Sequence, residues 1–389
     1  MAPKVKSGNT PKVRVTADGK QLDATAVRRV SVDRAIDMAD MFTLDLRNDR
    51  CVMSDNSALE PGKPVQIELG YQEGGGKFIR VMVGRVVALK GVFPRRGPMG
   101  LRVQGYSPDQ LLTQGRKTRR FKGPITYSRV VEQVLAAPEY EGKLIVKVDP
   151  TEEQHEYVFQ RNQTDMEFLM ELAERVGFEC YVRYHDSDPS QPALLRFGKP
   201  ELESNPVRTL KKGENMLAFF PRTSVSLTPS GVTVMSWDPG ERKVILGEAE
   251  GGDSPEEQAS KKIGPLVEEV HEVPVRTEAE ADALAVSIMQ RRAIASIHAE
   301  ALLPGNPDLL PGVVVEVKGV GQLFSRKYYV TRVIHDLTDA GFNTRLELRS
   351  VTLAHEKPEP QPAQNPQQGG GAAGAGGPGQ GGAGAGGPG

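Results

Sequence analysis

Pro61-Gly62-Lys63-Pro64-Val65-Gln66-Ile67-Glu68-Leu69 and, about 250 residues later, Pro311-Gly312-Val313-Val314-Val315-Glu316-Val317 open one pattern twice. Each Pro-Gly is a turn signal followed by alternating apolar residues: Val65, Ile67 and Leu69 in one, Val313, Val315 and Val317 in the other. A Gly-containing turn comes next, at Gly74 to Gly76 and at Gly319 and Gly321. Then a V-x-R-V core recurs, Val83-Gly84-Arg85-Val86 against Val330-Thr331-Arg332-Val333. A second Gly-bearing turn (Gly97 and Gly100; Gly341) leads to a closing strand, Leu101-Arg102-Val103 against Leu346-Glu347-Leu348. Recurrence of strand, turn, strand, turn, strand in one order predicts two related antiparallel β-barrel domains in one chain.

Working outward, residues 12–106 hold short alternating strands separated by Gly, Pro, Asn and Asp, the first barrel. Residues 107–205 change character and read as an α+β insertion. Thr126 to Ala137 places Val130, Val131, Val134 and Leu135 on one helical stripe. Gln163 to Val176 has an N-cap at Thr164 with Glu167 three residues on, a capping box. Its apolar face is Phe168, Leu169, Leu172, Ala173 and Val176, and Gly177 stops it. Phe178 to Tyr184 returns to strand and pairs with Leu194 to Phe197. Residues 206–355 return to β and hold the second barrel. They include an acidic linker at 247–265 and a helix at 277–297, with Ala279, Ala283, Val286 and Met289-Gln290 on or near its inner stripe. The first 11 residues are polar and read as a flexible N-terminus. Residues 356–389 are mostly Pro, Gln, Gly and Ala and read as a disordered tail, too poor in apolar surface to offset its ordering entropy.

Composition removes several function classes. Lys+Arg is 49 against Asp+Glu 50, so nothing global draws the chain to nucleic acid or an anionic membrane. No apolar run approaches the ~18 residues of a membrane span, and no signal peptide is legible, so synthesis in the cytoplasm is expected. Cys51 and Cys180 match no metal or redox spacing and read as buried, reduced thiols. No metal, cofactor or small-molecule substrate is implied. His155-Glu156 and His298-Ala299-Glu300 are fragments of metal motifs without the rest. Gly74-Gly75-Gly76-Lys77 lacks the Ser/Thr and helix of a phosphate loop. Glu167, Glu171 and Glu174 share a helix as paired acids could for glycoside hydrolysis, but their spacing puts them on its solvent side. The basic run Arg116-Lys117-Thr118-Arg119-Arg120-Phe121-Lys122 reads as a guarded edge strand or a charged subunit interface, with nucleic acid as its rival. The chain is therefore expected to be a structural protein with no catalytic residues.

One stretch carries a family resemblance. Gln160-x-x-x-Thr164-Asp165-x-x-Phe168-Leu169-x-x-Leu172-Ala173-Glu174-x-x-Gly177, leading into the aromatic strand Phe178 to Tyr184, resembles a hallmark of the baseplate hub family of contractile tails. That family holds late control protein D and the VgrG-like proteins. Val234 to Pro239, with its Trp237-Asp238-Pro239 ending, Leu310 to Val315, Tyr328 to His335 and Thr344 to Leu348 resemble later parts of it. The resemblance implies a trimeric hub in a phage tail-like particle or contractile injection system. Its six barrels would match a six-fold inner tube to a three-fold spike, beside other baseplate subunits. The needle domains of VgrG relatives are not seen beyond about His355, so the spike is expected to be a separate protein. The alternative is a tail-associated cell-wall or glycan hydrolase.

Overall fold

The computed structural model describes residues 10–71, 78–183, 192–223, 229–238, 240–250, 262, 266–271, 275–294 and 297–351. The turn at Gly74–Lys77, most of the acidic stretch at 247–265 and the tail at 356–389 lie outside them.

The first seven strands are β1 (Pro11–Ala17), β2 (Lys20–Gln21), β3 (Val27–Ala35), β4 (Met41–Arg47), β5 (Pro64–Tyr71), β6 (Phe78–Val92) and β7 (Gly100–Tyr106). The insertion follows: β8 (Lys117–Ile125), α1 (Tyr127–Leu135), β9 (Leu144–Val148), β10 (His155–Gln163), α2 (Asp165–Arg175), β11 (Glu179–Arg183) and β12 (Ala193–Gly198). Then come β13 (Arg208–Lys211), β14 (Ala218–Thr223), β15 (Gly231–Asp238), β16 (Lys243–Glu250), β17 (Val267–Val270), α3 (Glu278–Ile294), β18 (Ile297–Pro304), β19 (Val314–Lys318), β20 (Lys327–Thr338) and β21 (Gly341–Ser350).

Thirteen of these strands form one sheet. Its ladder contains the run β3-β4-β7-β6-β5-β1 and the run β14-β18-β21-β20-β19-β13. With the strands of each copy ranked in chain order, both runs read second, third, sixth, fifth, fourth, first. The duplication is thus a duplication of topology. Each run has its own core. Val30, Phe42, Leu44, Ile67, Met82 and Val103 sit in one, Ala301, Val315, Val317, Tyr328, Val330 and Leu346 in the other. A difference is that β1 pairs β5 antiparallel, whereas β13 pairs β19 parallel.

The two copies align by hydrogen bonds, and the alignment corrects the sequence reading. Gly62 N donates to Val86 O at 2.7 Å and Val86 N to Lys63 O at 2.9 Å. In the second copy Gly312 N donates to Val330 O and Val330 N to Val313 O, both at 2.8 Å. A β-bulge follows each, between Val86 and Ala88 and between Val330 and Arg332. So Val86 corresponds to Val330, three residues away from the V-x-R-V match, and Val103 corresponds to Leu346 where the sequence suggested Leu348. Both Pro-Gly glycines have positive φ, 90° and 78°, a backbone state open to glycine at little cost.

The insertion packs α1 and α2 on β8–β10 and on the three-stranded sheet β11-β12-β9. Val130, Val131, Val134 and Leu135 are buried, as are Phe168, Leu169, Leu172 and Ala173. The capping box is present: Thr164 Oγ1 accepts from Glu167 N at 3.1 Å and Glu167 Oε2 accepts from Thr164 N at 3.0 Å.

Within 206–355, the strands β15, β16 and β17 form a sheet of their own, covered by α3 around Val232, Val234, Ile245, Leu284 and Met289. Gly247–Glu250 belong to β16 and are not linker. The α3 face also differs from expectation. Ala281, Leu284, Ala285 and Met289 point inward, while Ala279, Ala283 and Val286 are exposed. Apolar residues surround this Ala-rich helix, so periodicity does not select a face. A Cβ on Gly247 would lie 2.2 Å from the Ala281 carbonyl carbon, and that close approach fixes the helix on the sheet.

Cys180 is buried, and burial pushes its thiol up to about 12. Cys51, expected to be buried, is only half-buried, in a tight turn at φ 62°.

Candidate assembly interface and polar clusters

The joint between the two copies shows how barrels of this kind connect. The first half of β20 pairs with β19 and its second half, Arg332–Thr338, pairs with β3. Ion pairs reinforce it. Arg332 Nε and Nη2 donate to Asp33 Oδ1 and Oδ2 at 2.7 and 2.6 Å, and Nη1 to Glu347 Oε1 at 3.0 Å. Arg29 Nε and Nη2 reach Asp336 at 2.9 and 3.2 Å. Inside, Arg34 is paired with Asp40 at 2.9 Å, both almost fully buried. Burial raises Asp40 to about 6 against the pull of Arg34. His335 is fully buried with Nδ1 3.1 Å from Thr344 Oγ1, and burial, aided by Arg34, lowers it to about 3.

The equivalent of that joint is open at the other end of each repeat. β6 corresponds to β20, and its second half, Ala88–Val92, carries β7 on one side and, among the described residues, no strand on the other. β14 corresponds to β3, and beyond its pairing with β18 its other edge is likewise open. Both edges expose apolar side chains: Val87, Leu89 and Val92 on β6 with Phe93 (58% exposed) just after it, and Leu217 and Phe220 (64% exposed) beside and on β14. Unpaired N–H and C=O rows with exposed apolar residues are templates for strand addition.

The basic run resolves into two faces of β8. Arg116 lies 3.1 Å from Glu167, and Lys117 donates to Glu139 at 2.7 Å and to Asp165 at 2.8 Å. Asp165 gathers Arg119, Gln160 at 2.9 Å and Tyr140 at 2.5 Å. Burial alone would raise this carboxyl, but the bonds from Lys117, Tyr140 and Gln160 and the charge of Arg119 hold it below its usual value. Sequence reasoning missed this centre; the side chains converge from four elements.

The helix acids do not converge. Glu171 binds Arg175 at 2.8 Å and accepts from Gln163, Glu174 faces Arg291 at 3.3 Å, and Glu167 serves the capping box and Arg116. Glu153, His155 and Glu280 do bring ligand atoms within 4.8 Å of one another. There Glu280 already accepts from Tyr127 Oη at 3.0 Å and Arg276 N at 2.9 Å, and Arg175 lies 3.8 Å away. His155 stacks on Tyr127 with centroids 4.0 Å apart. This arrangement caps α3 and ties it to the insertion; the guanidinium supplies the positive charge a cation would bring. A cavity of about 780 Å³ lies between α2, α3 and β20, with Glu179 on its wall. Burial raises Glu179 to about 7 while Tyr329 Oη donates to it at 2.5 Å. No described helix is long and apolar enough to cross a membrane.

A family model described as "Alg8 N-terminal domain" matches residues 7–339, most of the chain. The chain belongs to the Alg8 N-terminal domain family. No curated protein sequence matches it. The 43 kDa tail protein of prophage MuSo2 from Shewanella oneidensis is similar to this Alg8 N-terminal domain protein with a TM-score of 0.67 at 17% identity, covering 88% of this chain and 99% of that one. The tail protein from Neisseria meningitidis MC58 gives 0.65 at 15%, covering 88% and 97%. The E. coli c3393 protein, a type VI secretion component described as resembling T4 tail proteins gp27 and gp5, gives 0.56 at 12%, covering 86% and 76%. Identities this low establish a shared fold. The mainly β architecture with an α+β insertion is that of these tail and secretion proteins.

Proposed function

We propose that this chain is a structural hub subunit of a phage tail-like or contractile injection particle, closing with two further copies into a trimeric ring between a six-fold inner tube and a separate three-fold spike. The observation that carries this is the pair of open edges. Within the chain, β20 of the second repeat binds β3 of the first. By the same relation, β6 of the first repeat binds β14 of a neighbouring copy. The contact is head-to-tail, so it builds a ring when the rotation closes. Three chains supply six repeats, the number that faces a six-fold tube one repeat per subunit. The particle's other baseplate proteins then surround the ring, and its working location is the assembled particle.

The hub reading needs no catalysis. In support, Glu167, Glu171 and Glu174 each meet a different cation and do not share a cleft, which disfavours the hydrolase alternative. Native mass spectrometry of the isolated particle tests the hub reading. Three copies per ring are expected; a hexamer or a lone copy would refute it. A zymogram on bacterial cell wall should remain uncleared.

A further inference from the structure

The outer face of the β8–β10 ribbon has a different chemistry from everything around it. Neither strand belongs to the thirteen-stranded sheet. The inner face, with Arg119, Phe121, Val158 and Gln160, is absorbed by Asp165 and the insertion core. On the outer face the register sets Lys122 opposite Tyr157 and Arg120 opposite Phe159, which is 46% exposed. Arg161 continues the same side of β10, two residues past Phe159. From the start of α3, the Arg276 guanidinium lies 4.0 Å over the Tyr157 ring, and that of Arg120 lies 4.8 Å over it.

Four cations thus crowd one ribbon face, two of them against a single ring. The acid on this face is Glu156, 3.8 Å from Arg276 and almost fully exposed. Among the described residues, no carboxylate lies within ion-pair distance of Arg120, Lys122 or Arg161. In a chain of net charge −1 this excess is local. Like charges held this close repel, and a ligand bearing carboxylates would relieve that repulsion.

We propose that this face docks an extended acidic segment of a partner protein, its carboxylates meeting Arg120, Lys122, Arg161 and Arg276 and its apolar side chains covering Phe159. A protein strand is favoured over nucleic acid on two grounds. The chain lacks the overall basic charge of a nucleic-acid binder. The Tyr157 ring is already covered by guanidiniums and is not free for base stacking. Because the ribbon lies outside the ring sheet, this proposal and the ring reading can fail separately.

The test is fluorescence anisotropy of the full chain with a labelled ten-residue peptide of eight glutamates around two central leucines, and with a ten-residue oligothymidylate, at stepped salt. The peptide should bind, weaken with salt, and lose at least tenfold affinity in R120E/K122E. F159A should weaken it several-fold. R95E/R96E, the same charge change on the exposed turn after β6, should bind as the wild type does. Circular dichroism checks folding, and the single variant K122E serves if the double variant unfolds. No peptide binding, equal loss in R95E/R96E, or tighter binding of the oligothymidylate would each overturn the proposal.

Discussion

Arg332→Ala is the sharpest perturbation of the joint between the repeats. Arg332 makes two charge-assisted hydrogen bonds to Asp33 at 2.7 and 2.6 Å and one to Glu347 at 3.0 Å. Its side chain is 31% exposed and that of Asp33 16%. Hydrogen bonds to charged groups contribute about 1.5–3 kcal/mol each when buried, and partial exposure discounts this. Loss of the side chain should therefore destabilise the fold by about 2–3 kcal/mol. A double-mutant cycle with Asp33→Ala should give a coupling of about 1–2 kcal/mol. The comparison is Arg102 with Asp45, also bidentate at 2.6 and 3.0 Å, but within one repeat and more exposed at 44%. That pair should contribute under about 1 kcal/mol. Urea denaturation followed by circular dichroism measures the six variants of the two cycles. A coupling for Arg332–Asp33 below about 0.5 kcal/mol, or no larger than that for Arg102–Asp45, would refute the account of the joint as a continuous, ion-paired sheet.

Further outcomes follow from the insertion. Leu172→Ala, on the buried face of α2, should cost about 2–5 kcal/mol, whereas Glu171→Gln on the solvent side should stay within about 0.5 kcal/mol in the same assay. Glu179 is raised from 4.5 to about 7 on folding, so its neutral form stabilises the fold below pH 4.5 and that contribution is lost as pH rises through 7. A shift of this size corresponds to roughly 3–4 kcal/mol. Glu179→Gln should therefore gain stability relative to wild type between pH 5 and 8, read from paired denaturation curves; a constant difference across that range would refute it.

Much of this fold is legible in the sequence for identifiable reasons. The Pro-Gly turns and period-2 strands mark the repeats because glycine's positive φ and one-sided burial leave signatures in residue type. Thr164 and Glu167 mark α2 because a cap is local. The register between repeats is not legible, since V-x-R-V is a short match that falls three residues out of the frame fixed by the backbone hydrogen bonds of Val86 and Val330. The face of α3 was hidden because its alanines give no stripe; only the approach of Gly247 decides it. Asp165 sits inside a family-like run, yet its partners Lys117, Arg119 and Tyr140 are brought to it by tertiary structure. The open edges of β6 and β14 become visible only when the two ladders are laid side by side.

Those edges also define the most direct test. By the equivalence of the repeats, Asp336 opposite Ser31 maps to Val92 opposite Phe220 of the next copy. Cysteines at directly opposed cross-strand positions lie within bridging distance. In a Cys51→Ser background, the paired variant Val92→Cys with Phe220→Cys should oxidise, in assembled rings, to covalent species that stop at three chains on a denaturing gel. Either single variant should remain monomeric. Absence of intermolecular bridges in assembled particles, or a ladder running past three, would contradict the ring.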